Sequence, residues 1–157
     1  MTDRDSLVKQ VAELVGGRDQ SVATSESLTS GAIASALGQG PDAADWFAGA
    51  VVAYQEPVKF ELLGVPEGPV VTEECARQMA TATRELLRAD VAVSVTGVGG
   101  PEPDEGEPPG TVWMAVSTRD DDVVTRKVKL DGDPADVVEA TVDTALELLV
   151  DVLRGEA

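Results

Sequence analysis

The chain has no histidine and a single cysteine, Cys75. The first absence excludes Ser-His-Asp and Cys-His catalysis and a histidine-based zinc site. The second excludes an internal disulfide and any multi-cysteine metal site. Cys75 falls in an apolar–polar helical pattern and reads as a packing residue. Basic residues are scarce: Lys+Arg number 12 against Asp+Glu 29, a formal net charge of −17. Such a surface repels nucleic acid and anionic membrane, so neither is an expected partner. A phosphate-bearing ligand would need local neutralisation by backbone N–H groups or a placed cation. No run of about eighteen apolar residues occurs, and the opening MTDRDSLVKQ is acidic and amphipathic rather than signal-like. A soluble, cytoplasmic protein is expected. Ser, Thr, Tyr, Lys and carboxylates are left for chemistry, with neither metal nor cofactor.

The acids are scattered through a normal apolar pattern, and 43% of the 157 residues are hydrophobic. That is enough to fold one domain with a proper core. Acids over the whole surface with few lysines look like an adaptation to high salt.

Along the chain, helical and strand patterns alternate. Asp5 or Ser6 can cap a helix whose Leu7, Val8, Val11, Leu14 and Val15 share a face, ended by Gly16-Gly17. A short strand at 21–25 leads through a turn at Glu26-Ser27 to a small-residue helix over 28–37. A loop over 38–45 and the aromatic pair Trp46-Phe47 precede a strand at 49–54. Pro57 suits the first turn of a short helix, and Thr72 caps a longer one reaching Leu87 or Arg88. Strands are expected at 91–96, 111–118 and 123–130, the last two as a hairpin. Asp133 and Pro134 open the final helix. The pattern predicts an α/β fold: a three-layer α/β/α sandwich on a mixed, mostly parallel sheet.

Three groups of residues could carry chemistry. In the loop joining the strands at 91–96 and 111–118, glycines and prolines alternate with carboxylates. It reads either as a stiff ligand-binding loop at the end of a buried strand or as a solvated acidic connector. The segment Thr24–Gly31 offers hydroxyls and helix N–H groups as an anion cradle, or else ordinary capping by Ser27 or Thr29. Tyr54 and Lys59 could form a pair in which a desolvated lysine activates a hydroxyl or water. They could equally be a packed tyrosine and a solvated lysine. Gly97-Val98-Gly99-Gly100 is not a dinucleotide fingerprint, because Glu102 stands where the third glycine belongs.

In order, the motifs T-x-E-S-x-T-x-G, W-F, Y-x-x-x-x-K, T-G-x-x-G-P and P-x-G-T-V-W resemble the CinA C-terminal domain family, the nicotinamide-nucleotide amidases. The resemblance runs from about Leu7 to Leu153. It implies a stand-alone form without the molybdopterin-binding-like domain of longer members, and homodimerisation. It also implies hydrolysis of a nicotinamide ribonucleotide carboxamide, or a related small amide, to carboxylate and ammonia. On that resemblance Tyr54, Lys59 and Ser27 are the catalytic candidates. Glu26, Thr29, Thr96, Gly97, Gly99, Gly100, Gly110 and Thr111 would hold the nucleotide substrate.

The chain departs from the family pattern at three places. Leu28-Thr29-Ser30-Gly31 stands for Cys-Thr-Gly-Gly. Ala44 replaces a serine proposed as nucleophile, and Pro134 replaces an arginine. Two readings follow: a divergent amidase with Lys59 as base and Tyr54 as proton relay, or a catalytically silent nucleotide-binding or scaffolding domain.

Overall fold

The computed structural model describes residues 3–157. Met1 and Thr2 of the acidic opening stretch lie outside the described residues. Five strands form one sheet: β1 (Val22–Glu26), β2 (Phe47–Val52), β3 (Val91–Gly97), β4 (Thr111–Thr118) and β5 (Val123–Lys129), in the order β2-β1-β3-β4-β5. β1 pairs in parallel with both β2 and β3. β4 is antiparallel to β3 and to β5. Only β4 therefore runs against the other strands, and the sheet is mixed with a parallel centre.

Alternation along the strands sorts side chains to the two faces. Val91, Val93 and Val95 of β3 join Val112, Met114 and Val116 of β4 on one face. That face is covered by α1 (Arg4–Gly16), α2 (Ala32–Gly38) and α6 (Pro134–Arg154). The intervening positions, all small or hydroxylated except Trp113, meet α5 (Glu73–Leu86) on the opposite face. Ala76, Ala80 and Ala115 make this contact close. Ser25 Oγ donates to the Met79 carbonyl at 3.3 Å and Ser94 Oγ to the Ala76 carbonyl at 2.6 Å. The strand hydroxyls thus satisfy themselves on helix carbonyls instead of costing desolvation. Both faces are covered, as a three-layer sandwich requires. No helix among the described residues is long and apolar enough to cross a membrane.

Helix caps fall near the expected signals. Thr72 accepts from the Cys75 N–H. Asp133 and Asp136 form a reciprocal capping box with Pro134 just inside it. The first cap is Asp3, not Asp5 or Ser6.

Three boundaries differ from expectation. The small-residue helix begins at Ala32, because residues 27–30 turn on a Ser30 N–H to Ser27 carbonyl bond. A one-turn helix, α3 (Ala43–Trp46), interrupts the expected loop. β2 begins at Phe47, because parallel pairing sets Phe47 opposite Val22. Trp46 is buried, donates to the Pro41 carbonyl and tilts against a half-buried Phe47.

The β1–α2 junction is held by Glu26. Its carboxylate is fully buried and accepts from the Ile33 N–H at 2.9 Å, the Ala34 N–H at 2.8 Å and the Thr29 hydroxyl at 2.6 Å. Glu26→Gln replaces one accepting oxygen by an NH2 group facing N–H donors. It should lower unfolding free energy by about 1–3 kcal/mol, read by chemical denaturation. An unchanged midpoint would show that the contact contributes nothing.

Candidate active site

The carboxyl ends of β1, β2 and β3 open onto a cavity of about 340 Å³, where an α/β sheet gathers ligand groups. Ser27 follows β1 and Tyr54 follows β2. Lys59 comes from α4 (Glu56–Glu61), and Thr96, Gly97, Gly99 and Gly100 come from the end of β3 and the loop beyond it. All seven lie on the cavity wall, with Leu28, Val98 and Val138 among its apolar members.

Lys59 is the unusual group. Its side chain is only 2% exposed, yet it bears the one basic group on this wall. Burial pushes its pKa down from the usual 10.5, opposed by the nearby carboxylates of Glu56 and Glu105 and by any ionisation of the Cys75 thiol. Its ammonium donates to the backbone carbonyl of Tyr54 at 3.4 Å, a long bond. The expected lysine–phenol pair is thus replaced by a lysine–carbonyl contact. Tyr54 is 65% exposed and does not bury Lys59. The cluster of Ala53, Leu63, Val65, Val70, Cys75 and Met79, on which Val58 and Phe60 of α4 pack, lies on the sheet face of this helix. Cys75 is itself buried there. Burial pushes its thiol up to about 11, opposed by Thr96 and Lys59, so it is protonated at neutral pH and serves as packing.

Ser27 presents the hydroxyl. It is nearly buried on the wall, and its Oγ has no hydrogen-bond partner among the described residues. Ala44 is elsewhere. It is exposed in α3, before β2, and the six residues of that strand separate it from the Tyr54 end by about 20 Å. A hydroxyl at position 44 would not reach this cavity within the chain. Pro134, in contrast, lies on its wall.

Four expected binding residues do not line the cavity. Glu26 and Thr29 bind each other and the α2 N–H groups, so the anion cradle is filled from inside. The Thr111 hydroxyl donates to the Pro108 carbonyl at 2.8 Å. Gly110 is held between Val98 and Leu130 by backbone bonds, and a Cβ there would collide with the Leu130 carbonyl. These two shape the base of the loop. Thr96 is on the wall, but its hydroxyl donates to the Val70 carbonyl at 2.8 Å.

Glu105 was not apparent as a site-building residue. Its carboxylate accepts from the Val70 N–H at 2.8 Å and the Val71 N–H at 2.8 Å, clamping the loop onto the segment before α5. No local pattern signals a bond across some 35 residues. Val70, Val71, Glu56, Glu102 and Asp104 also line the cavity, Glu105 itself lying outside its wall.

The loop glycines differ in purpose. A Cβ on Gly97 would lie 2.5 Å from the Thr111 carbonyl and 2.9 Å from Val112 Cα, a steric demand of the fold. A Cβ on Gly99 meets nothing within 4 Å. Gly97→Ala should lower the unfolding temperature, whereas Gly99→Ala should leave it unchanged and weaken only ligand binding. Calorimetric unfolding and ligand titration of both variants check this. A Gly99→Ala protein indistinguishable in binding would remove that amide from the site.

The CinA C-terminal domain family matches residues 4–153. A CinA-like protein of Mycolicibacterium vanbaalenii is 38% identical over 160 residues, covering 98% of this chain and 37% of that protein. A CinA-like protein of Mycobacterium tuberculosis is 37% identical over 159 residues, covering 98% and 36%. The chain spans about a third of the length of these curated relatives. The crystal structure of a CinA superfamily protein from Klebsiella pneumoniae superposes with a TM-score of 0.92 at 31% identity, over 98% of this chain and 99% of that one. The competence/damage inducible protein CihA from Agrobacterium tumefaciens gives 0.91 at 30%, over 98% and 97%. With the match running almost end to end and the fold shared, the chain belongs to the CinA C-terminal domain family.

Proposed function

We propose that this domain is an amidohydrolase acting on the carboxamide of nicotinamide mononucleotide or a related small amide, giving carboxylate and ammonia. The observation that carries the reading is the buried, pKa-depressed Lys59 on the same cavity wall as the unpartnered Ser27 hydroxyl. A solvated surface lysine needs neither burial nor a depressed pKa. A general base needs both, because it must spend time neutral near the working pH.

In this mechanism neutral Lys59 takes the Ser27 Oγ proton as the oxygen attacks the carboxamide carbon. The Gly99 and Gly100 amides are the backbone donors on the wall available to the resulting oxyanion. The C–N bond breaks, and the departing nitrogen receives the proton from Lys59 and leaves as ammonia. Water, deprotonated by Lys59, then hydrolyses the ester and restores Ser27. Tyr54, at the exposed mouth, relays protons to solvent. Side chains and backbone supply every group the sequence of steps uses.

A second reading, a catalytically silent nucleotide-binding or scaffolding domain, draws on Pro134. It brings to the wall neither a charge nor an N–H.

Ser27→Ala should abolish ammonia release, by on the order of a thousandfold or more. Lys59→Arg should abolish it too while changing ligand affinity by less than about tenfold, since arginine keeps the charge but cannot act as a base. Stability separates the roles further. The folded pKa of Lys59 is lowered, so burying it costs stability in full below that pKa, and the cost is relieved progressively as pH rises from it toward the ordinary 10.5. Lys59→Met should therefore raise the neutral-pH unfolding temperature while abolishing turnover. Turnover surviving in Lys59→Arg would reduce Lys59 to an electrostatic role, and no ammonia release from the unaltered protein would favour the second reading.

A further inference from the structure

Resting on the reading of this cavity as an amidase site, we propose that Glu105 is a positioning residue for it. From outside the wall, its carboxylate fixes the Gly99 and Gly100 amides where an oxyanion would form.

Those two N–H groups have no hydrogen-bond partner among the described residues, so they are free to donate to a ligand. Nothing local fixes their direction. Glycine has the least restricted backbone of any residue. A Cβ on Gly99 would meet nothing within 4 Å, and Gly100 stands at φ +87°. Their orientation is therefore set by the chain on either side. On the β3 side Val98 is anchored: its N–H donates to the Thr111 carbonyl and its carbonyl accepts from the Gly110 N–H, both at 2.8 Å. On the other side Pro101, Glu102, Pro103 and Asp104 lead to Glu105. Two prolines in four residues make this arm stiff. A stiff arm passes on whatever restraint acts at its far end.

Glu105 supplies that restraint. Its carboxylate accepts the Val70 N–H and the Val71 N–H, each at 2.8 Å. The Val70 carbonyl in turn accepts the Thr96 hydroxyl at 2.8 Å, and Thr96 directly precedes Gly97. The loop thus closes a ring from Thr96 out to Glu105 and back through Val70, with both glycines inside it. Glu102 and Asp104 are acids of the same arm, yet their carboxylates accept no hydrogen bond among the described residues. Backbone conformation singles out Glu105 as well. Its φ is +52°, in the left-handed region, and Gly106 follows at +75°. A glycine at 105 would adopt that conformation with less strain, but it would leave the Val70 and Val71 N–H groups without their acceptor. Strain of this kind persists where the surroundings hold it in place.

Oxyanion donors act on the transition state more than on the bound substrate, so their misplacement lowers kcat and spares KM. A shift of about 1 Å can cost roughly a hundredfold in rate. The test compares the unaltered protein with Glu105→Gln, which keeps the side-chain length and one accepting oxygen, and with Glu105→Ala. Ammonia release from nicotinamide mononucleotide and 15N relaxation of the backbone amides are both measured. We expect kcat to fall about tenfold in the glutamine variant and about a hundredfold in the alanine variant, with KM changed less than about threefold. The order parameters of Gly99 and Gly100 should drop from about 0.85 to below about 0.6 in Glu105→Ala, while those of β3 and α5 stay high. If the alanine variant does not fold, the glutamine variant decides by the same readouts. Unchanged order at the two glycines, an unchanged kcat, a loss carried by KM, or disorder spread through β3 and α5 overturns the proposal. No ammonia release from the unaltered protein fails the amidase reading instead, and the order parameters then decide by themselves whether Glu105 holds the loop.

Discussion

Carboxylates seated on backbone N–H groups are the contacts around which this domain is organised. Glu26 is the chief of them: fully buried, it accepts two α2 N–H groups and the Thr29 hydroxyl. A charge in that position is tolerable only because each bond to it is charge-assisted and the helix start favours an anion. The next residue is Ser27, so its orientation toward the cavity follows from how tightly Glu26 is held. Glu105, though exposed, accepts two N–H groups in the same way and ties the Gly/Pro loop to Val70 and Val71, which line the cavity.

Lys59 lies on the wall of that cavity. An ammonium with 2% exposure and one long bond to a carbonyl is poorly compensated, and such a group lowers its pKa rather than stay charged. The fold maintains this unfavourable placement by packing α4 through Val58 and Phe60 against a small apolar cluster. Stability is given up at the wall of the cavity that the unpaired Ser27 hydroxyl also lines, the kind of placement at which shifted pKa values gather.

Much of this was legible in the chain because it is governed by short-range rules. The alternation of Val91, Val93 and Val95, the Thr72 cap, and Asp133 with Pro134 each act within a few residues, and each appears in the structure. The positions of Ser27, Tyr54 and Lys59 around one cavity followed from their places after strand ends. What escaped were choices among partners distant in sequence. Nothing local says that Glu26 will turn to amides at positions 33 and 34 rather than to a ligand, or that Glu105 will cap Val70 and Val71. Ala44 misled in a related way. It stands ten positions before Tyr54, but the stretch between them includes a whole strand, and a strand carries its two ends apart.

The central claim is that Lys59 is a neutral-capable base inside the cavity, and its protonation state can be observed directly. The chain has only four lysines, so side-chain nitrogen resonances can be assigned by substitution. A pH titration of Nζ followed by NMR should show Lys59 losing its proton below the usual lysine value of 10.5, with burial as the cause. Titration of Lys59 at or above 10.5 would contradict the account.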